Sequence, residues 1–129
     1  MNKILSLLSI VIILSAHSLE WSNEFNKTMK EAKKEHKPIL MMYHASWCPE
    51  CGYMKEVVFK DPQLQAYMKQ HFKLLAFDIT KDKNRLPAGF KFVGVPTFFF
   101  ISPEGKLITK FEGSGEANEF LEKIKGIKQ

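Results

Sequence analysis

The chain has 129 residues, of which 45% are apolar and 26% are charged, with 19 lysine and arginine residues against 14 acidic ones. This length suits one domain, and the apolar content, which includes 11 phenylalanines, is sufficient for a hydrophobic core and excludes a disordered chain. Because both signs of charge are spread along the chain, the net charge of +5 indicates a solvated surface and not a nucleic-acid-binding one.

The N-terminus has the layout of a secretory signal peptide. Lys3 precedes an uncharged apolar run, residues 4–14, and the small residues Ala16 and Ser18 follow it. As a helix, this run would span about 16 Å, whereas the hydrocarbon core of a bilayer is about 30 Å thick. We therefore predict cleavage after Ser18, which leaves residues 19–129 as one domain in the periplasm. An uncleaved membrane anchor and a buried helix are the alternatives.

The first elements of this domain are a helix and a buried strand. Phe25, Met29 and Ala32 recur at helical spacing within residues 22–37. A continuous apolar run follows over residues 38–43. Such a run is typical of a strand that is buried on both faces of a sheet.

Two cysteines follow this strand. Cys48 and Cys51 are separated by Pro49 and Glu50, and a disulfide that closes so short a loop removes little entropy from the unfolded chain. A redox role therefore explains the pair better than a structural one. Zinc is the main alternative, but structural zinc needs four ligands, and the histidines are not spaced to complete such a site. We expect neither a metal nor an organic cofactor.

The position of Cys48 indicates its chemistry. Pro49 suits the first turn of a helix, which predicts that Cys48 lies at a helix N-terminus. The unpaired N–H groups and the positive end of the helix dipole stabilise a thiolate there, so we predict that Cys48 is the attacking nucleophile. Cys51 would resolve the mixed disulfide, because it lies one turn further along the inner face of the helix. The predicted inner face comprises Cys51, Met54 and Val58.

The rest of the chain predicts two more helices and three more strands. Asp61 and Pro62 supply an N-cap and a first-turn proline for one helix, and a buried strand follows over residues 72–79. The runs 97–101 and 106–111 are joined by turn residues, which predicts a β-hairpin. The predicted order is α, β, α, α, β, β, β, α. The last helix has an apolar stripe formed by Phe120, Leu121, Ile124 and Ile127.

Two motifs in these positions resemble those of the thioredoxin family, namely residues 47–51 (WCPEC) and residues 94–97 (GVPT). More closely, residues 59–63 (FKDPQ) and 77–80 (FDIT) resemble the thioredoxin-like domains of periplasmic thiol:disulfide interchange proteins. The resemblance covers essentially the whole predicted domain and implies an α/β, thioredoxin-like fold of one domain, with a central mixed β-sheet flanked by helices. It also implies that Pro96 is cis and lies beside the cysteines. Val95 would pair with an extended substrate, and Trp47 would contact it.

The chain departs from the family at two positions that affect the mechanism. In thioredoxins a buried aspartate assists proton transfer to the resolving cysteine, and Met42 occupies the matching position here. Pro49 and Glu50 form the pair between the cysteines, where they would tune the redox properties. The negative charge of Glu50 would disfavour the Cys48 thiolate, which makes the dithiol a better reductant. The alternative is that Glu50 points into solvent and is screened.

Several other residues allow two interpretations. His44 could be a base or a metal ligand, although we expect a half-exposed loop histidine. We expect residues 98–100, three consecutive phenylalanines, to lie in the core. Phe90, Phe92 and Val93 precede Pro96 and could form an apolar rim for the substrate, but packing is the preferred interpretation.

These observations predict a periplasmic thiol:disulfide oxidoreductase that exchanges disulfides with protein substrates through a Cys48–Cys51 redox disulfide, with reduction favoured. Its partners would be protein thiols and disulfides and a membrane or periplasmic thiol electron donor. We expect a monomer that binds no nucleic acid. The alternatives within this class are a disulfide oxidase and an isomerase. The alternative outside it is a redox-inert binding or metal-carrier module that uses the same cysteines.

Overall fold

The computed structural model describes residues 18–128, so the predicted signal peptide, apart from Ser18, lies outside the described residues. Within them, helices and strands follow each other in the predicted order. The helices are α1 (Phe25–Glu35), α2 (Pro49–Glu56), α3 (Pro62–His71) and α4 (Ala117–Lys125). The strands are β1 (Ile39–His44), β2 (Lys73–Asp78), β3 (Thr97–Ile101) and β4 (Leu107–Glu112).

The four strands form one mixed sheet in the order β2-β1-β3-β4. β1 pairs with β2 in parallel and with β3 antiparallel, while β3 and β4 form the predicted antiparallel hairpin. A parallel pair needs a long crossover connection, and α2 and α3 supply it here. The predicted α/β fold, a central mixed sheet flanked by helices, is therefore confirmed.

The side chains of β3 show how the sheet separates two apolar layers. Phe98 and Phe100 point into the larger layer, to which α2, α3 and α4 contribute, whereas Phe99 points into the layer that contains part of α1. All three rings are completely buried, as predicted. Burying each ring contributes about 1.5–3 kcal/mol. The larger layer also contains Cys48 and Cys51, so the core packs directly against both sulfur atoms.

Helix α1 begins three residues later than the sequence predicts. Ser22 is not helical, because its backbone N–H donates to the Leu74 carbonyl at 3.0 Å and its carbonyl accepts from the Ala76 N–H at 2.9 Å. These bonds join Ser22 to β2 in a parallel bridge. The contact with β2 therefore overrides the helical spacing, and the helix starts at Phe25.

The starts of the next two helices follow the predicted capping chemistry. Pro49 is the first residue of α2, directly after its N-cap Cys48. At the start of α3, the Asp61 carboxylate accepts the Leu64 N–H at 2.9 Å. Helix α2 ends at Glu56, so Val58 is not on its inner face as predicted. It is nevertheless buried, in the short 3-10 helix Val58–Lys60 that follows.

Candidate active site

Cys48 and Cys51 lie just beyond the end of β1 and form a disulfide, with their Cα atoms 5.3 Å apart. Cys48 has extended backbone angles and is the N-cap of α2, while Cys51 lies in the first turn of that helix. The predicted position of Cys48 at a helix N-terminus is therefore confirmed.

The two sulfurs differ in their access to solvent. Cys48 retains 7% of its surface and Cys51 retains none. The backbone N–H of Cys51 points at the Cys48 Sγ atom, 3.1 Å away. In the reduced protein, this N–H and the positive end of the α2 dipole would stabilise a thiolate on Cys48. Access and electrostatics thus favour the same sulfur, and the assignment of Cys48 as the attacking thiol stays a prediction.

The loop before β3 lies against the disulfide. The Cys48 Sγ atom is 3.6 Å from the Val95 carbonyl oxygen, and the peptide bond between Val95 and Pro96 is cis, as the resemblance implies. The hydroxyl of Thr97, a fully buried residue, donates to the Gly94 carbonyl at 2.6 Å and closes this loop on itself. The structure therefore brings the two sequence motifs together at one edge of the sheet.

Trp47 lies beside this pair with 65% of its surface exposed. Its indole N–H donates to the Thr80 hydroxyl at 3.2 Å, and Thr80 follows β2. Val93 is 90% exposed, whereas Phe90 and Phe92 pack in the smaller apolar layer. The packing interpretation is therefore correct for these two phenylalanines and wrong for Val93. Trp47, directly before Cys48, and Val93, two positions before Val95, both present exposed apolar side chains.

The two departures from the thioredoxin pattern, at Glu50 and Met42, have contrasting environments. Glu50 is exposed in the first turn of α2, two positions after Cys48. Met42 is 1% exposed and belongs to the same apolar layer as both cysteines. The position that carries a carboxylate in thioredoxins therefore lies in apolar surroundings in this protein.

The structure also reveals a polar cluster formed by His44, Lys55 and Asp78. His44 is the last residue of β1 and not a loop residue as expected, and its Nδ1 atom lies 2.6 Å from Lys55 Nζ. Asp78 ends β2 and is directly opposite His44 in the β1–β2 register. Lys55 was not predicted as a site residue, although its spacing of four residues from Cys51 places both on one face of α2.

Burial, backbone hydrogen bonds and neighbouring charges shift the pKa values in the polar cluster. Burial, and then the Lys55 ammonium, lower the pKa of His44 below its usual 6.5. Burial also lowers the pKa of Lys55, although the Asp78 carboxylate opposes this effect. The Asp78 carboxylate accepts the backbone N–H groups of Lys81 and Thr80, which lower its pKa. At neutral pH the cluster therefore holds a neutral imidazole next to a cation and an anion.

Within residues 18–128, no three His, Cys, Asp or Glu side chains are grouped as metal ligands would be. No helix of that part of the chain is both long and apolar enough to cross a membrane. A surface pocket of about 620 Å³ lies between the segment around Trp21, α1 and the start of β2, and neither cysteine lines it. This pocket is therefore separate from the cysteine pair.

Comparison with known proteins finds similarity to a thioredoxin-like domain family, to thiol:disulfide interchange proteins and to a thioredoxin. A model of the thioredoxin-like domain family matches residues 25–128. The thiol:disulfide interchange protein DsbD of Campylobacter jejuni (strain RM1221) is 30% identical over 118 residues, which make up 88% of this chain and 20% of that protein. Thioredoxin H5 of Arabidopsis thaliana is also 30% identical over 118 residues, covering 89% of this chain and 92% of that protein.

Among solved structures, a DsbH oxidoreductase superposes with a TM-score of 0.74 at 22% identity, covering 92% of this chain and 90% of the other. This match shows the same fold. The chain spans about a fifth of the length of the DsbD relative, so the similarity concerns one domain of that protein. Because the family model extends from α1 through both motifs to α4, the chain belongs to the thioredoxin-like domain family.

Proposed function

We propose that this chain is a periplasmic thiol:disulfide oxidoreductase that reduces disulfides in protein substrates through Cys48 and Cys51. The observation that carries this proposal is the asymmetry of the pair. The Cys48 sulfur lies at the N-terminus of α2, retains some exposed surface and faces the Val95 carbonyl, whereas Cys51 is completely buried. Such an arrangement suits one thiol that attacks a client and a second that resolves the product.

The reaction proceeds in two exchange steps. The Cys48 thiolate attacks one sulfur of the client disulfide, and the other client sulfur leaves and takes up a proton. Cys51 then loses its proton and attacks the Cys48 Sγ atom, which forms the Cys48–Cys51 disulfide and releases the first client sulfur as a thiol. Two electrons pass from the cysteine pair to the client. A thiol electron donor returns the pair to the dithiol by the reverse exchange.

The surface around Cys48 suits an extended polypeptide. The carbonyl of Val95 lies next to the sulfur, where it can accept a hydrogen bond from a client backbone. Trp47 and Val93 add exposed apolar surface in the adjoining segments. Backbone pairing of this kind does not depend on the client side chains, so the site would accept many different proteins.

The direction of electron flow is proposed from the residues next to the thiols. The exposed Glu50 adds a negative charge two positions from Cys48, which opposes formation of the thiolate. A less stable thiolate makes the dithiol easier to oxidise, so reduction of clients is favoured over oxidation. The export signal predicted in residues 1–18 and the similarity to thiol:disulfide interchange proteins support a periplasmic location.

A disulfide-reduction assay tests the activity. With dithiothreitol as electron donor, the wild-type protein should accelerate reduction of a protein disulfide such as that of insulin, and Cys48→Ser should give only the background rate. A Cys48→Ser variant as active as the wild type would contradict the proposal. Equilibration with glutathione measures the potential, and a value above about −150 mV would identify an oxidase instead.

Cell fractionation tests the location. The full chain with a C-terminal tag should be recovered from the periplasm with Leu19 as its first residue by mass spectrometry. Leu8→Arg places a charge in the apolar run and is the matched control, since it should leave the chain uncleaved in the cytoplasm. An uncleaved wild-type chain in the membrane fraction would support an anchor.

A further inference from the structure

The polar cluster of His44, Lys55 and Asp78 lies on the side of the sheet that carries the cysteines. Side chains alternate along a strand, so His44 shares a face of β1 with Met42. Met42 packs in the apolar layer that contains Cys48 and Cys51. The imidazole therefore points toward the layer that α2 covers, where it meets Lys55.

Lys55 reaches this cluster from the same helix face as Cys51. The two residues are four positions apart on α2, a spacing at which their Cβ atoms lie about 5–6 Å from each other. Cys51 has no exposed surface, and Lys55 is half-buried. Lys55 thus starts one helical turn from the buried cysteine on the same face of α2, and its Nζ atom meets the ring of His44.

The hydrogen bond specifies the protonation of this pair. Lys55 Nζ lies 2.6 Å from His44 Nδ1, and because an ammonium can only donate, a charged Lys55 pairs with a neutral ring that carries its proton on Nε2. The other charged groups that act on the pair are Glu56 on α2, Asp78 at the end of β2, and Lys81 and Asp82 in the loop after it. Burial lowers the pKa of Lys55, and the Asp78 and Glu56 carboxylates oppose this lowering because they favour the ammonium.

We propose that the Lys55 ammonium favours the thiolate of Cys51, and that His44 is the positioning residue that holds this ammonium in place. An ammonium differs from the carboxylate of thioredoxins, because it cannot accept the Cys51 proton but does stabilise the anion that remains. The proton passes to solvent, and the departing client thiolate takes one up, so no further reagent is required. The inference rests on the proposed exchange reaction, in which Cys51 must ionise before it attacks Cys48 Sγ.

The test follows the ionisation of Cys51 directly. In a Cys48→Ser background Cys51 is the single thiol of the chain, and its thiolate can be titrated by ultraviolet absorbance. Lys55→Met should lower the thiolate fraction at a given pH below the midpoint by about tenfold, as expected when a nearby opposite charge is lost. Lys55→Arg retains the charge and should keep the thiolate fraction of the parent. Lys60→Gln removes an exposed lysine from the 3-10 helix and is the matched control.

Two further variants allow for misfolding of Lys55→Met and test the role of His44. Lys55→Gln removes the charge but keeps a polar end, so it serves if Lys55→Met does not fold. His44→Leu should give a thiolate fraction between those of the parent and Lys55→Met, because the ammonium loses its acceptor but stays charged. A Cys51 titration that is the same in the parent, Lys55→Met and Lys55→Gln would overturn the inference.

The outcomes also separate this inference from the proposed function. An unchanged titration in a protein that still reduces insulin overturns the role of Lys55 alone. A lowered thiolate fraction in a protein that reduces no disulfide supports the electrostatic role and rejects the proposed function. In the active protein with both cysteines, Lys55→Met should slow the release of the client from the mixed disulfide with Cys48 more than it slows formation of that mixed disulfide.

Discussion

The Cys48 sulfur lies 3.6 Å from the carbonyl oxygen of Val95, a residue 47 positions later in the chain. The topology of the sheet explains this proximity. Because β1 and β3 are antiparallel and Tyr43 pairs with Thr97, the end of one strand meets the start of the other. β2 runs parallel to β1, so its end reaches the same edge and places Thr80 within reach of Trp47. The segments that contain Cys48, Val95 and Thr80 therefore lie together at one edge of the sheet.

The unequal burial of the two cysteines predicts an unequal trapping of clients. Cys51→Ser removes the resolving thiol, so mixed disulfides between Cys48 and client proteins should accumulate. Cys48→Ser leaves only the thiol of Cys51, which has no exposed surface, so this variant should trap no client protein. Non-reducing gels and mass spectrometry of periplasmic extracts provide the measurement. The variant lacking both cysteines is the control, and equal trapping by the two single variants would contradict the assignment of roles.

The charge at Glu50 predicts the redox potential. We expect the potential of the wild type to lie nearer the reducing value of about −270 mV that is typical of thioredoxin than the oxidising value of about −120 mV. Glu50→His should raise the potential, on the order of 30 mV, and lower the pKa of Cys48, because a cation replaces an anion beside the thiolate. Equilibration with glutathione gives the value for each variant.

The control for Glu50→His is Glu122→His, which makes the same change at an exposed position on α4. Its potential should equal that of the wild type. If Glu50→His also leaves the potential unchanged, the Glu50 carboxylate is screened by solvent and does not set the direction of electron flow.

The exposure of Trp47 predicts a loss of client binding without a loss of stability. Trp47→Ala should raise KM for a protein disulfide by about tenfold, because a large exposed aromatic side chain contributes strongly to an interface when it becomes buried. Its free energy of unfolding should change little, since the side chain is mostly exposed. Steady-state kinetics and urea denaturation provide the two measurements.

Trp47→Phe should retain most of the client contact, and Thr80→Val should test the hydrogen bond of the indole separately. If contact with the client is what matters, Thr80→Val should change KM less than Trp47→Ala does. A Trp47→Ala variant with wild-type KM would show that Trp47 serves packing alone.

Asp78 predicts how stability depends on pH. Its carboxylate accepts two backbone N–H groups, and its pKa is lowered from the usual 3.8. A lowered folded pKa stabilises the protein above the unfolded value, and this stabilisation is lost as the pH falls through the folded value. Asp78→Asn should therefore reduce the free energy of unfolding at pH 7 by about 1 kcal/mol.

The same variant should show a shallower fall in stability as the pH falls below 3.8, because it lacks the carboxylate whose folded pKa lies below that usual value. Urea denaturation at a series of pH values measures both effects. Glu122→Gln removes an exposed carboxylate and should keep the wild-type profile. An Asp78→Asn profile parallel to that of the wild type would contradict the prediction.

The sequence alone determined the order of the helices and strands and the position of Cys48 at a helix N-terminus. Those features depend on local chemistry: Pro49 starts a helix directly after Cys48, Asp61 caps the next one, and an apolar run marks the buried strand β1. Local signals act between residues a few positions apart, so they can be recognised without knowing what packs against them.

Only the tertiary structure decided how distant segments meet. Ser22 leaves the predicted helix because it pairs with β2, and His44 is a partner of Lys55 because β1 and α2 face each other across one apolar layer. The approach of the Val95 carbonyl to Cys48 likewise depends on the antiparallel register of β1 and β3. Such contacts arise from the packing of whole elements, and no spacing within a single segment encodes them.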